Sequence, residues 1–152
     1  MKIGIIGYGS MGKMILEKMS GTPELAKEKY LVANRTPAKI EHLKNTFQVC
    51  ENNAQLAAEA DIIFLCVGPS EMKKVLTDIQ TVVKKEVFLV SLNGSIQFAQ
   101  MEQVCGNKFA KVIPGVTAEV NQSQTLVCFN ELVEPGDKEL LIKLLGCMGD
   151  VI

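Results

Sequence analysis

Residues 1–19 read MKIGIIGYGSMGKMILEKM, and this stretch decides the fold. Ile3, Ile5 and Ile6 form a short β-branched apolar run, which predicts a strand buried on both faces. Gly7-Tyr8-Gly9-Ser10-Met11-Gly12 follows as G-x-G-x-x-G, and Met11, Met14, Ile15 and Met19 then recur at helical spacing. The glycines therefore lie between a strand and a helix, the context in which this pattern marks a dinucleotide-binding turn. Gly7 permits the tight turn, Gly9 lets a pyrophosphate approach the backbone, and Gly12 lets helix and strand pack closely. The helix start at Ser10 and Met11 offers open N–H groups and the positive end of a dipole to phosphates.

Composition is consistent with this and excludes much else. The chain has 152 residues, enough for one domain with its own core. Hydrophobic residues make up 47% and charged residues 22%, and the formal net charge of −1 gives no electrostatic grip on nucleic acid. Every apolar run is far shorter than a membrane span, and the N-terminal stretch reads as a strand, not a signal peptide. The five cysteines, at 50, 66, 105, 128 and 147, form no C-x-x-C pair and no Cys/His cluster, so no metal site is expected. Cys66 and Cys128 stand inside apolar runs and are expected to be small core side chains. The pattern implies a reducing, cytoplasmic setting.

Beyond the first unit, strands and helices alternate. The first helix is expected to stop at Gly21, with Pro23 behind it and a short helical extension over Glu24 to Lys29. Tyr30 to Ala33 reads as a second strand. Thr36 is placed to cap a helix that starts at Pro37, with Ile40 and Leu43 inward and Lys39, Glu41 and Lys44 toward water. His42 reads as a surface histidine there. Phe47 to Cys50 makes a third strand, and Asn52 or Asn53 can cap a brief helix over Ala54 to Ala60. Asp61 to Val67 is the clearest buried strand; Gly68-Pro69-Ser70 turns it into a helix with Met72, Val75, Leu76 and Ile79 on one face. Val87 to Leu92 is a fifth strand, Asn93-Gly94 a turn into a helix reaching about Val104, and Phe109 to Ile113 a sixth strand closed by Pro114-Gly115. Thr125 to Phe129 could be a seventh. Pro135-Gly136 opens a helix carrying Leu140, Leu141, Leu144 and Leu145, and Gly149 to Ile152 looks like the start of one more strand. The expected architecture is α/β: a Rossmann-type, doubly wound, mostly parallel sheet with helices on both faces, all within residues 1–152. The turns after the strands, Gly7–Gly12, Asn34–Thr36, Gly68–Ser70, Asn93–Ser95 and Pro114–Thr117, should meet in one crevice at the carboxyl ends of the strands.

The second-strand turn chooses the cofactor. A carboxylate there would accept hydrogen bonds from the ribose hydroxyl of NAD, whereas this turn reads Asn34-Arg35-Thr36. Arg35 can pair with a 2′-phosphate and Thr36 can add a hydroxyl, so NADP (as NADPH) is the expected cofactor.

The segments GYGSMG, ANRTPAK, DIIFLCVGP and KVIPGVTA together resemble the N-terminal domain of pyrroline-5-carboxylate reductase, over essentially the whole chain. The resemblance implies hydride transfer from NADPH to a cyclic imine, giving proline. It places Val67, Gly68 and Pro69 near the nicotinamide, Asn53 among the cofactor residues, and Asn93, Gly94, Pro114, Gly115 and Thr117 on the substrate side. There are departures. Gly68 replaces a family lysine, Ser95 stands where the family has glycine, and Gly115-Val116-Thr117 replace Asn-Thr-Pro, a pattern more like the competence-associated paralogue of the reductase in spore-forming bacteria. The family also carries a C-terminal helical domain that forms a homodimer and completes the substrate site. Nothing in these residues corresponds to it, so this chain alone is expected to bind NADPH without turnover. No catalytic acid–base pair is legible, which leaves the proton to the second domain or to water. Two other readings stay open: a related NADP-dependent dehydrogenase with another substrate, and a non-catalytic nucleotide-binding regulatory module.

Overall fold

The computed structural model describes residues 1–113 and 123–151. Its sheet is built from eight strands: β1 (Lys2–Ile6), β2 (Lys29–Ala33), β3 (Gln48–Val49), β4 (Ile62–Leu65), β5 (Phe88–Ser91), β6 (Lys108–Ile113), β7 (Ser123–Phe129) and β8 (Gly149–Val151). Their order across the sheet is β3-β2-β1-β4-β5-β6-β7-β8. The pairs from β3 through to β6 are all parallel, β7 runs antiparallel to β6, and β8 is parallel to β7. The order reverses direction between β1 and β4, which is the switch point where such sheets open a crevice.

Strand alternation sorts the core into two layers. Ile3 and Ile5, Ile62 and Phe64, Phe88 and Val90, and Ala110 and Val112 face one side. There they meet Ile15, Leu16 and Met19 of helix α1 (Ser10–Ser20) and Leu141, Leu144 and Leu145 of helix α5 (Pro135–Leu145). Ile6, Ile63, Leu65, Leu89 and Phe109 face the other side. They meet Leu56 and Ala57 of α2 (Asn53–Glu59), the Met72, Val75, Leu76 and Ile79 stripe of α3 (Pro69–Ile79), and Met101 of α4 (Phe98–Glu102). Each large side chain buried in that stripe contributes roughly 1.5–3 kcal/mol relative to exposure. Gly4 lets α2 come close, because a Cβ there would lie 2.5 Å from Leu56 Cδ2 and 3.1 Å from Ala60 Cβ.

Several sequence expectations are corrected. No α-helix follows Thr36. Two 3₁₀ turns, Pro37–Lys39 and Glu41–Leu43, replace it, separated by Ile40 at φ −114° and ψ 1°. Three-residue spacing still brings Ile40 and Leu43 into the core, and that burial outweighs regular helix. Thr36 makes no side-chain cap. Asn52 does cap α2, its Oδ1 accepting from the Gln55 N–H at 2.8 Å. In place of the helical extension expected over Glu24 to Lys29, Glu24 to Glu28 forms turns around buried Leu25 and Lys29 already opens β2. Gly21 ends α1 at φ −83°, without a left-handed cap. The helix after Asn93 is shorter than expected, only Phe98–Glu102. Cys128 is exposed, not core. It sits opposite Lys111 in the antiparallel pairing, on the face where Leu126 and Ile113 are also exposed. Period-two alternation, not the apolar run, decides its side.

No helix among the described residues is long and apolar enough to cross a membrane, and none of their His, Cys, Asp and Glu side chains cluster as a metal site.

Candidate cofactor crevice

Backbone hydrogen bonds past the ends of the strands hold the floor of the crevice. The Gly7 N–H donates to Ala33 O at 2.9 Å, the Cys66 N–H to Ile6 O at 2.8 Å, and the Leu92 N–H to Leu65 O at 3.1 Å. Gly7 is in the left-handed region at φ +95°, where a side chain would be strained and would also meet Cys66 O. Gly12 is equally constrained for another reason: a Cβ there would lie 2.0 Å from the Gly7 carbonyl oxygen. Gly9 differs from both. A Cβ at Gly9 meets nothing within 4 Å, so the space before the turn is open.

Gly9 caps α1 and Gly68 caps α3, and neither glycine has a side chain to hydrogen-bond the helix start. Both helices therefore present the positive ends of their dipoles at the crevice. Asn34 joins the two turns. Its Oδ1 accepts from the Tyr8 N–H at 2.9 Å, and its Nδ2 donates to Thr36 O at 3.0 Å. The cavity that results is about 210 Å³. Its walls bring together Gly7, Gly9, Asn34, Arg35, Thr36, Asn53, Val67 and Gly68, residues drawn from four separate turns.

The remaining candidates stand apart from that cavity. Ser10, Met11 and Gly12 form the first turn of α1. Pro69 opens α3 and lines a separate hollow with Met72, Ser95 and Met101. Asn93 and Gly94 lie past β5, where Asn93 Oδ1 accepts from the Ser95 N–H at 2.9 Å and Gly94 packs on Ile113. Pro114, Gly115 and Thr117 lie outside the described residues. Sequence reasoning missed Lys39, expected to face only water, which is exposed yet lines the cavity. It also missed Tyr8, Cys66 and Glu71 in the same walls. The signal for Tyr8 was available, since it lies inside the glycine motif; Glu71 is brought near Arg35 only by the crossover.

Two groups in these walls are held in their protonated forms, Cys66 and Tyr8. Burial pushes the Cys66 thiol up to about 12, so it stays protonated and inert at neutral pH. Burial, with a smaller contribution from Glu17, raises the Tyr8 phenol above its usual 10.0. Among the described residues the crevice offers shape, N–H groups and cations, and its one thiol is not ionised. The open Gly9 face, the two uncapped helix starts and the cationic side chains fit a phosphorylated dinucleotide.

Fold and crevice together define a Rossmann-type domain whose switch-point crevice suits a dinucleotide. The chain belongs to the family described as NADP oxidoreductase, coenzyme F420-dependent, which matches residues 2–94. It is similar to pyrroline-5-carboxylate reductase of Escherichia coli (strain K12), 32% identical over 153 residues, covering 98% of this chain and 57% of that one. It is also similar to ComE operon protein 4 of Bacillus subtilis (strain 168), 32% identical over 132 residues, covering 85% of this chain and 48% of the other. In fold it matches Plasmodium falciparum pyrroline carboxylate reductase solved with NADP bound, with a TM-score of 0.85 at 23% identity, over 99% of this chain and 56% of that one. The chain thus spans about half the length of the curated relatives it matches.

Proposed function

We propose that this crevice holds NADP and that the protein reduces a cyclic imine, pyrroline-5-carboxylate, to proline. The observation that carries the cofactor half is the company Arg35 and Lys39 keep. Both cations line the cavity that contains the Gly7–Gly9 turn. In this reading the turn and the start of α1 take the pyrophosphate, and Arg35, Lys39 and Thr36 take the 2′-phosphate. Asn53, Val67, Gly68 and Pro69 continue the path toward the nicotinamide. The bound cofactor supplies the hydride, and this chain's residues bind and orient it. The substrate half rests on the relatives named above. Asn93, Gly94, Pro114, Gly115 and Thr117 are the substrate-side candidates. A helical second domain and a homodimer, as the family resemblance implies, complete the pocket in the whole protein.

NADPH and NADH titrated against the purified chain test the first half. NADPH is expected to bind tighter. Arg35→Ala should weaken NADPH roughly tenfold or more, from a charge-assisted bond of about 1.5–3 kcal/mol, and NADH far less. Equal affinities would sink the cofactor reading. NADPH oxidation by the longest native form, with pyrroline-5-carboxylate added, tests the second half.

A second reading has one observation behind it. No described group in the crevice is placed as an acid–base pair, and the Cys66 thiol is inert. A regulatory module that binds NADPH without reducing the imine would have this chemistry, and the same oxidation assay would then stay at background.

A further inference from the structure

An ion pair crosses the mouth of the crevice. Arg35 Nη1 lies 3.2 Å from Glu71 Oε1, joining the turn after β2 to the first helical turn of α3. Both residues line the cavity at Gly7, and both line an adjoining hollow of about 240 Å³ walled also by Pro37, Glu51 and Asp78. The two spaces share Asn34, Asn53 and Val75 as well, so the pair stands where they meet. Resting on the reading of Arg35 as the 2′-phosphate ligand, we propose that Glu71 is a specificity-determining residue: it competes with the phosphate for the Arg35 guanidinium and holds down the preference for NADPH over NADH.

Three observations carry this. First, the carboxylate already occupies one arm of the guanidinium, the group that must make the paired bonds to phosphate. Second, a phosphate seated on Arg35 brings its own negative charge beside Glu71, a like-charge contact. Third, Lys74, the α3 cation that lines the adjoining hollow, is engaged elsewhere: its Nζ pairs with Asp78 at 3.2 Å, and Asn53 Nδ2 also donates to Asp78 at 3.4 Å. The Arg35 side chain is 78% exposed, so the pair is weak enough for a phosphate to displace. Glu71 therefore tunes the choice of cofactor and does not block it. The plain alternative is a carboxylate that merely suits a helix N-terminus.

The test is titration of NADPH and NADH, followed by nicotinamide fluorescence, against four forms: wild type, Glu71→Gln, Arg35→Ala and the double variant. Glu71→Gln should tighten NADPH about two- to fivefold, the range an exposed pair supports, and leave NADH unchanged. The gain should vanish in the Arg35→Ala background. If Arg35→Ala weakens NADPH while Glu71→Gln leaves it unchanged or weaker, Glu71 is only a helix-start carboxylate and the proposal is wrong. If Arg35→Ala does not move the NADPH to NADH ratio, the reading of Arg35 fails, and the proposal falls with it.

Discussion

Gly9 and Gly12 stand three residues apart and lack the same Cβ, yet their surroundings differ completely. At Gly12 a Cβ would meet the Gly7 carbonyl oxygen at 2.0 Å, against backbone that cannot yield cheaply. Gly12→Ala should therefore destabilise by about 1–3 kcal/mol, the usual cost of overpacking. For a chain of this size that lowers the thermal midpoint by about 2–12 °C. At Gly9 the space is empty. Gly9→Val should leave the ligand-free midpoint within about 2 °C while both dinucleotides lose affinity. A large fall in the Gly9→Val midpoint would make Gly9 a packing glycine. The work of Gly7 in the turn and of Gly12 in close packing was legible in their spacing. That of Lys39 and Glu71 was not, because each reaches the crevice through a turn or crossover whose direction no local pattern encodes.

Asn130 organises the junction of the last parallel strand with the antiparallel one. Its Oδ1 accepts from the Phe109 N–H at 3.1 Å and the Leu132 N–H at 3.3 Å. Its Nδ2 donates to Asn107 O and Glu102 Oε2, both at 3.1 Å. Asn130→Ala leaves the Phe109 and Asn107 backbone groups without that partner, at a cost of about 1–3 kcal/mol. The urea midpoint should fall with an unchanged slope. Glu102→Gln, at the exposed end of the network, should cost much less, and equal losses would show that the network does not centre on Asn130. Strands β1, β2, β4 and β5 were legible because each is a compact apolar run buried on both faces. The segment after Thr36 misled because a good cap and an N1 proline are start signals only. They do not decide between α and 3₁₀ turns, and three-residue spacing is what buries Ile40 and Leu43 before β3 begins at Gln48. At Cys128 an apolar run concealed a strand with one exposed face.

Taken whole, the molecule stores protonated thiols. Burial lifts Cys50, Cys105 and Cys147 to about 11 and Cys66 to about 12, against 9.0 for a free thiol, and Tyr30 to about 12 from 10.0. The unfolded chain releases these protons first as pH rises, so it gains relative to the folded state. Their contribution to stability is complete below pH 9.0 and is lost as pH climbs toward 11 and 12. Thermal midpoints should hold level to about pH 9 and fall steeply above it. Cys105→Ala should flatten that descent, and a midpoint level to pH 11 would contradict the burial of these groups. At this scale the doubly wound order followed from the alternation of elements, as did the meeting of three of the five expected turns, and the antiparallel turn of β7 did not, since no pattern in its residues sets its direction. One feature of the assembled sheet bears on time. The exits of β1, β4 and β5 are each pegged to a neighbouring strand by a backbone hydrogen bond just past the last paired residue. A floor fixed in this way has few alternative shapes, so a ligand forfeits little affinity in waiting for a rare one. How long it stays is then set by the rate at which its contacts let go, and substitutions in the walls should act mainly on residence time.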